Sequence, residues 1–365
     1  MSQSLAYAAG RPERVMDVVR RVVALIRERI PAGWSVILSD EASRLGRGTA
    51  AAADLVGPDQ ARASLVIAAK RLIEGRDVER AIRQLEAGRA DAAGEVPLLA
   101  ASYLTPSVRS WLEQRRVSYG DAAGNLHIVV DRPAFFLHDV GADRDPWRGR
   151  GRPRGTLAGP AAARVTRALV DFRPPVSVPE LIRRSGASTG AAYRVVEFLQ
   201  REGLITRAAK GPVTDVDWRR LLERWSLDYG FQRSNAVTAY LDPRGLPHLM
   251  SQLASNQVGR YAVTGTFAAQ RLAPYAPARA AMIYADVVGE IADALGLRIV
   301  DAGANVLIAT GDYDVVFDRP AVDGGVNFVA PSQAAVDLLT GPGRNPVEAE
   351  ALLDWMETHE RDWRR

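Results

Sequence analysis

Between residues 160 and 214 the apolar side chains fall at helical spacing in three short runs, and the breaks between those runs are set by proline and glycine. No other stretch of the chain limits its own folding so tightly. The first run, residues 161–172, puts Val165, Leu169 and Phe172 on one face and ends at Pro174-Pro175, where the helical donor is missing. Ser177 is a suitable N-cap for a second run, residues 178–185, with Val178, Leu181 and Ile182 turned inward. A tight Gly186-Ala187 turn leads to Ser188, the cap of a third helix through Arg201, in which Ala192, Val195, Val196 and Leu199 recur at i, i+3, i+4 and i+7. Gly190, Tyr193, Arg194, Glu197 and Arg201 therefore face away from the core. Gly203 closes this helix, and residues 204–214 read as a strand, a basic tip around Lys210 and a returning strand.

Charge is distributed to match. The formal net charge is only +4, but residues 144–225 hold 17 Lys/Arg against 8 Asp/Glu, and residues 226–365 hold 11 against 17. Basic charge thus gathers in the middle of the chain, as a phosphate-binding surface requires. With 47% hydrophobic and 25% charged residues, the 365-residue chain has the composition of a soluble globular protein of two or three domains. It carries no apolar run long enough for a membrane span and no signal pattern, so a cytoplasmic protein without membrane partners is expected. Zero cysteines exclude disulfides, thiolate nucleophiles and cysteine-ligated zinc. His127, His138, His248 and His359 show no metal-ligand spacing, so structural or surface roles are expected for them, with no metal and no cofactor.

The expected fold class is α+β multidomain. Residues 1–142 read as an α/β domain: a helix over 14–30, strands at 35–38, 51–56, 64–68 and 96–101, helices over 78–85 and 106–115, and a strand pair across 119–130 turning at Gly124-Asn125. Residues 143–159 are a linker rich in Gly, Pro and Arg, 160–225 the three-helix unit, and 226–365 a third domain. Residues 217–253 read as largely helical, with strands at 262–264, 281–284, 305–308 and 326–329 and helices from 266 and over 346–357.

Several segments resemble known families. Residues 177–214 resemble the winged helix-turn-helix, which implies a recognition helix in the major groove: Ser188 at its start, Thr189, Tyr193 and Arg194 at base edges, Arg183 and Arg184 on phosphates, and Arg207 and Lys210 on the wing. Arg148-Gly-Arg150-Gly-Arg152-Pro153-Arg154-Gly155 resembles an AT-hook, which implies minor-groove contacts by Arg150, Arg152, Pro153 and Arg154; a solvated Arg/Gly linker is the alternative. The N-terminal order of elements resembles the PD-(D/E)xK restriction-endonuclease-like fold, with Asp54 at a strand end and Ile67-Ala68-Ala69-Lys70 in place of (D/E)-x-K. Ala68 stands where the second carboxylate belongs, so metal-dependent cleavage is not expected. Tyr261–Leu272, with Gly265 and Thr266, is similar to the strand-Gly-helix entry of nucleotidyltransferase-like domains, but only Asp286 follows as a carboxylate.

With Tyr119-Gly-Asp-Ala-Ala-Gly-Asn125, Ala302-Gly-Ala-Asn-Val-Leu307 and residues 329–339, the chain resembles the AbiEi-type antitoxin and transcriptional-regulator family of type IV toxin-antitoxin systems. That resemblance implies a non-enzymatic regulator that binds double-stranded operator DNA, often its own promoter, with a toxin or a second copy as candidate partners. Two alternatives stay open: a metal-dependent nuclease or nucleotidyl-transfer enzyme using Asp40, Glu41 and Asp54, and an antitoxin that works chiefly by protein contact.

Overall fold

Val18, Val19, Val22, Val23, Leu25 and Ile26 form one buried stripe, and this is why residues from Val15 to Arg29 become the helix α1 rather than a strand. Asp17 accepts the backbone N–H of Arg14 at its start, and Pro31 stops it. A computed structural model describes residues 11–12, 14–39, 50–71, 73, 77–78, 80–83, 95–143, 145–147, 155–208, 211–255, 259–310 and 313–365. It resolves into two compact units, Met1–Arg152 with Gln200–Gly203, and Pro153–Leu199 with Leu204–Arg365.

In the first unit the strands β1 (Ser35–Ser39), β2 (Ala51–Val56), β3 (Arg62–Lys70), β4 (Glu95–Ala101), β5 (Ser118–Asp121), β6 (Leu126–Val130) and β7 (Phe135–Asp139) lie side by side in chain order. Neighbours are antiparallel except β3 with β4 and β4 with β5, which are parallel and need crossovers. Alternation along β3 explains the layers: Leu65 and Ile67 pack under α1, while Val66 and Ala68 face the opposite side, covered by Val78, Ala81 and Ile82 and by helix α2 (Pro106–Gln114). Gly120 lies where α1 crosses the sheet, and a Cβ there would come within 2.5 Å of a Val22 methyl. Beyond it, the buried Asp121 carboxylate accepts the N–H groups of Leu104, Ala123 and Asn125 at 2.9–3.0 Å and organises the β5–β6 turn.

In the second unit, helices α3 (Pro160–Asp171), α4 (Val178–Ser185) and α5 (Thr189–Arg201, its last two residues grouped with the first unit) precede the short hairpin of β8 (Ile205–Arg207) and β9 (Val213–Val216). Val176 bridges to Val213, so the hairpin is stitched to the segment between α3 and α4. Ser177 caps α4 through the N–H of Glu180, and Gly186 ends it at φ +60°, a conformation that favours glycine. Helix α6 (Trp218–Ser226) leads into a second sheet built from β10 (Ala236–Leu241), β11 (Tyr261–Thr264), β12 (Ala281–Ala285), β13 (Arg298–Ile299), β14 (Val306–Thr310), β15 (Ala321–Asp323) and β16 (Val326–Phe328). Their spatial order is β13-β10-β14-β12-β11-β16-β15. Helices α7 (Leu246–Ser255), α8 (Thr266–Gln270), α9 (Val288–Ala294), α10 (Pro331–Leu339), α11 (Asn345–Thr358) and α12 (Glu360–Trp363) complete the unit. The whole chain is thus mixed α/β.

Two expectations need correction. The stretch over 217–253 is not largely helical: β10 runs through its middle. Val237, Thr238 and Tyr240 are strand formers, and Asp242-Pro243-Arg244-Gly245 is a tight turn, with Gly245 at φ +86° and its N–H on the Asp242 carbonyl at 3.1 Å. Nor do residues 160–225 and 226–365 have separate cores, because one buried cluster runs from Leu157 through Leu199 and Tyr284 to Trp363.

A buried polar network threads that core. Arg167 on α3 grips the Asp171 carboxylate at 2.9 Å, the Val315 carbonyl at 3.1 Å and the Gln333 amide oxygen at 2.9 Å. Gln333 in turn donates to Asp337, which also accepts the hydroxyls of Thr264 and Tyr284 at 2.6 and 2.8 Å. Burial pushes the Asp337 carboxyl up to about 7 against the pull of those hydrogen bonds.

Replacing Gly120 with Ala forces α1 away from the sheet and is expected to cost about 1–3 kcal/mol in urea denaturation. The raised Asp337 value means that the native state favours the neutral acid. Its contribution to stability is therefore full below about pH 4 and is lost between about 4 and about 7. Asp337→Asn should remove a slope on the order of a few kcal/mol from that window in thermal unfolding followed across pH.

Candidate nucleic-acid interface

Helix α5 is held from behind. Ala192, Val195, Val196 and Leu199 are fully buried, and Ser188 closes the N-terminus by accepting the N–H of Ala191 at 3.4 Å. On the opposite side Ser188, Thr189, Gly190, Tyr193 and Arg194 are exposed, Tyr193 to 41%. Three of the residues expected to read bases, Thr189, Tyr193 and Arg194, thus share one solvent-facing surface.

The cations placed on phosphates are more constrained. Both Arg183 and Arg184 pair with Glu180 on their own helix, Arg184 at 2.6 Å while also lying 4.4 Å from the centre of the Phe172 ring. Exposed pairs of this kind contribute at most about 1 kcal/mol, so a phosphate can replace Glu180 at little cost. Arg207 turns back onto the Gly211 carbonyl at 3.1–3.3 Å and so shapes the hairpin end. Lys210 and the run Arg150, Arg152, Pro153 and Arg154 lie outside the described residues, as do Asp40 and Glu41.

The residues singled out as enzyme remnants are not brought together. Asp54 is the fourth residue of β2, not its end, and is paired with Ser64. Lys70 lies six residues farther along β3, roughly 20 Å away at about 3.3 Å per residue. In the second sheet Gly265 follows Thr264, which pairs with Met282, while Asp286 lies beyond the Tyr261–Ala285 pair at the other end of the hairpin. Asp286 faces Arg260 at 3.8 Å. Gly265 has a local reason to be glycine: its φ is +65°, and a Cβ would come within 2.7 Å of the Met282 sulfur. Beside it, the buried Glu348 carboxylate takes the Thr266 hydroxyl at 2.5 Å and Arg344 at 2.7 Å, at the edge of a cavity of about 350 Å³.

One cluster escaped the sequence reading. His127 on β6 and His138 on β7 are direct cross-strand partners, their Nδ1 atoms 3.3 Å apart, and Glu113 reaches them from α2. Burial lowers the His127 pKa, opposed by Glu113 and reinforced by His138. These residues stand 14 and 11 positions apart on three elements, so no helical or loop spacing announces them.

No protein-family model, curated protein or solved structure matches the chain. Among the described residues no helix is long and apolar enough to cross a membrane.

Because Arg194 is exposed and Ser188 is a cap, their replacements should separate cleanly. Arg194→Ala is expected to leave unfolding within about 0.5 kcal/mol of wild type, whereas Ser188→Ala should cost about 1 kcal/mol, both read from chemical denaturation.

Proposed function

We propose that the protein is a sequence-specific regulator that binds double-stranded DNA in the cytoplasm, with α5 in the major groove and the β8–β9 hairpin beside it. The observation that carries this reading is the two-sidedness of α5. One face is locked into the core, and the other presents a phenol, a guanidinium and a hydroxyl to solvent. A helix of about 10–12 Å diameter fits the major groove, and Arg and Thr side chains make hydrogen bonds to base edges there. The concentration of basic residues over 144–225 supplies the sequence-independent attraction.

In this reading α3–α5 with β8–β9 form a winged helix. The first unit is an endonuclease-like fold without its carboxylate pair, supported by the antiparallel β1–β3 run followed by the parallel β4. The second sheet is the nucleotidyltransferase-like part. The antitoxin-family resemblance extends the proposal to control of the protein's own promoter, with the acidic C-terminal region as the face for a toxin.

In gel-shift titrations against the preferred duplex and a scrambled one, Arg194→Ala should erase about 1–3 kcal/mol of discrimination. Lys210→Ala should weaken both duplexes alike and reduce the salt slope by about 1. Wild-type behaviour of both variants would overturn the docking geometry.

A further inference from the structure

We propose that Glu113, His127 and His138 form a binding site for one divalent transition metal of the zinc type, with a coordination position open to the groove beside them. The hairpin supplies the first argument. Antiparallel pairing sets His127 opposite His138 on the same face of the sheet, with their Nδ1 atoms 3.3 Å apart. Two nitrogens bound to a tetrahedral ion at about 2.0–2.1 Å are separated by about 3.3–3.4 Å, the edge of the tetrahedron. The two rings already hold that edge.

Glu113 supplies the third ligand, one atom from each of the three residues lying within 4.8 Å of the others. Its carboxylate is not free to swing, because Tyr119 donates its hydroxyl to Oε1 at 2.5 Å while its own ring stacks on His127. An outer hydrogen bond of this kind orients ligands in metal sites. Two imidazoles and one carboxylate suit zinc, cobalt or nickel, whereas calcium and magnesium call for oxygen ligands alone.

Three protein ligands leave a fourth position for water or a small anion. A groove of about 770 Å³ lies there, lined by Glu95, Glu113, Arg116, His127 and Arg132 among others. Glu95 lines the same groove, and its buried Oε2 has no hydrogen-bond partner among the described residues. A metal-bound water is a donor for such an oxygen, and the arginines favour an anion. This site is independent of the DNA-binding reading, since none of its residues lies in α3–α5 or in the β8–β9 hairpin.

The test uses the full chain, stripped with chelator and titrated with Co²⁺ by calorimetry and visible absorption. One Co²⁺ per chain should bind, give the intense visible bands of a tetrahedral ion, and be displaced by Zn²⁺. His138→Ala, at an exposed position, and Glu113→Gln should each weaken binding ten-fold or more, while His359→Ala in the second unit leaves it unchanged. Added azide should shift the bands by taking the open position. Affinity weaker than about 1 mM, or equal binding by His138→Ala and Glu113→Gln with folding verified by circular dichroism, would overturn the site. An azide-insensitive spectrum would overturn the open position.

Discussion

The second unit depends on a charge that water cannot reach. Arg167 is 1% exposed, and removing a guanidinium from solvent costs several kcal/mol unless its donors are answered. They are answered by Asp171 on the same helix and by the Val315 and Asp318 carbonyls and Gln333, which come from far along the chain. The end of α3 is closed in the same manner, with Arg364 donating to the carbonyls of Leu169 and Val170 and Arg319 donating to that of Asp171. Helix termini leave such carbonyls without partners, and here Arg319, Arg364 and the backbone N–H of Arg365 supply them. The consequence is positional. Helix α3 is fixed to α10 and to the chain end, α4 packs on α3, and the buried face of α5 belongs to the same core as the second sheet.

Local chemistry made the α3–α5 region readable. Pro174-Pro175, the Ser177 and Ser188 caps and Gly186 each act within a few residues, and the apolar spacing of α5 names its buried side without any tertiary knowledge. Most of the first sheet was readable for a similar reason, since its strands follow one another in chain order and each pairing is a neighbour's pairing, but β7 was not among the strands expected. In the second sheet β10 sits between β13 and β14, which follow it by more than fifty residues. Strand identity there depends on partners that a local pattern does not contain, although Asp242-Pro243-Arg244-Gly245 was a turn signal close at hand.

Side-chain constellations were harder to read than elements, and strand register is the reason. Asp54 and Lys70 looked like parts of one site because they stand at the positions of one resembled motif, yet pairing of Asp54 with Ser64 puts Lys70 far along β3. The same geometry separates Gly265 from Asp286. Register worked in the opposite direction for the histidines. Pairing of Val130 with Phe135 around Asp131-Arg132-Pro133-Ala134 makes His127 and His138 equidistant from the turn, hence face to face. Reading that turn as the centre of a hairpin would have joined them, whereas linear spacing kept them apart.

The pairing of Glu180 with Arg183 and Arg184 bears on how the proposed DNA contacts divide their labour. A carboxylate between two guanidinium groups lowers the local positive potential, and a phosphate must displace it before either arginine is fully engaged. Since the exposed pairs are weak, the displacement costs little, but it reduces the net gain from α4. Phosphates give affinity to every sequence alike, while base edges distinguish among them. Tempering the arginines of α4 would therefore shift the balance toward α5, where Arg194 and Tyr193 stand exposed at the surface proposed to meet the bases.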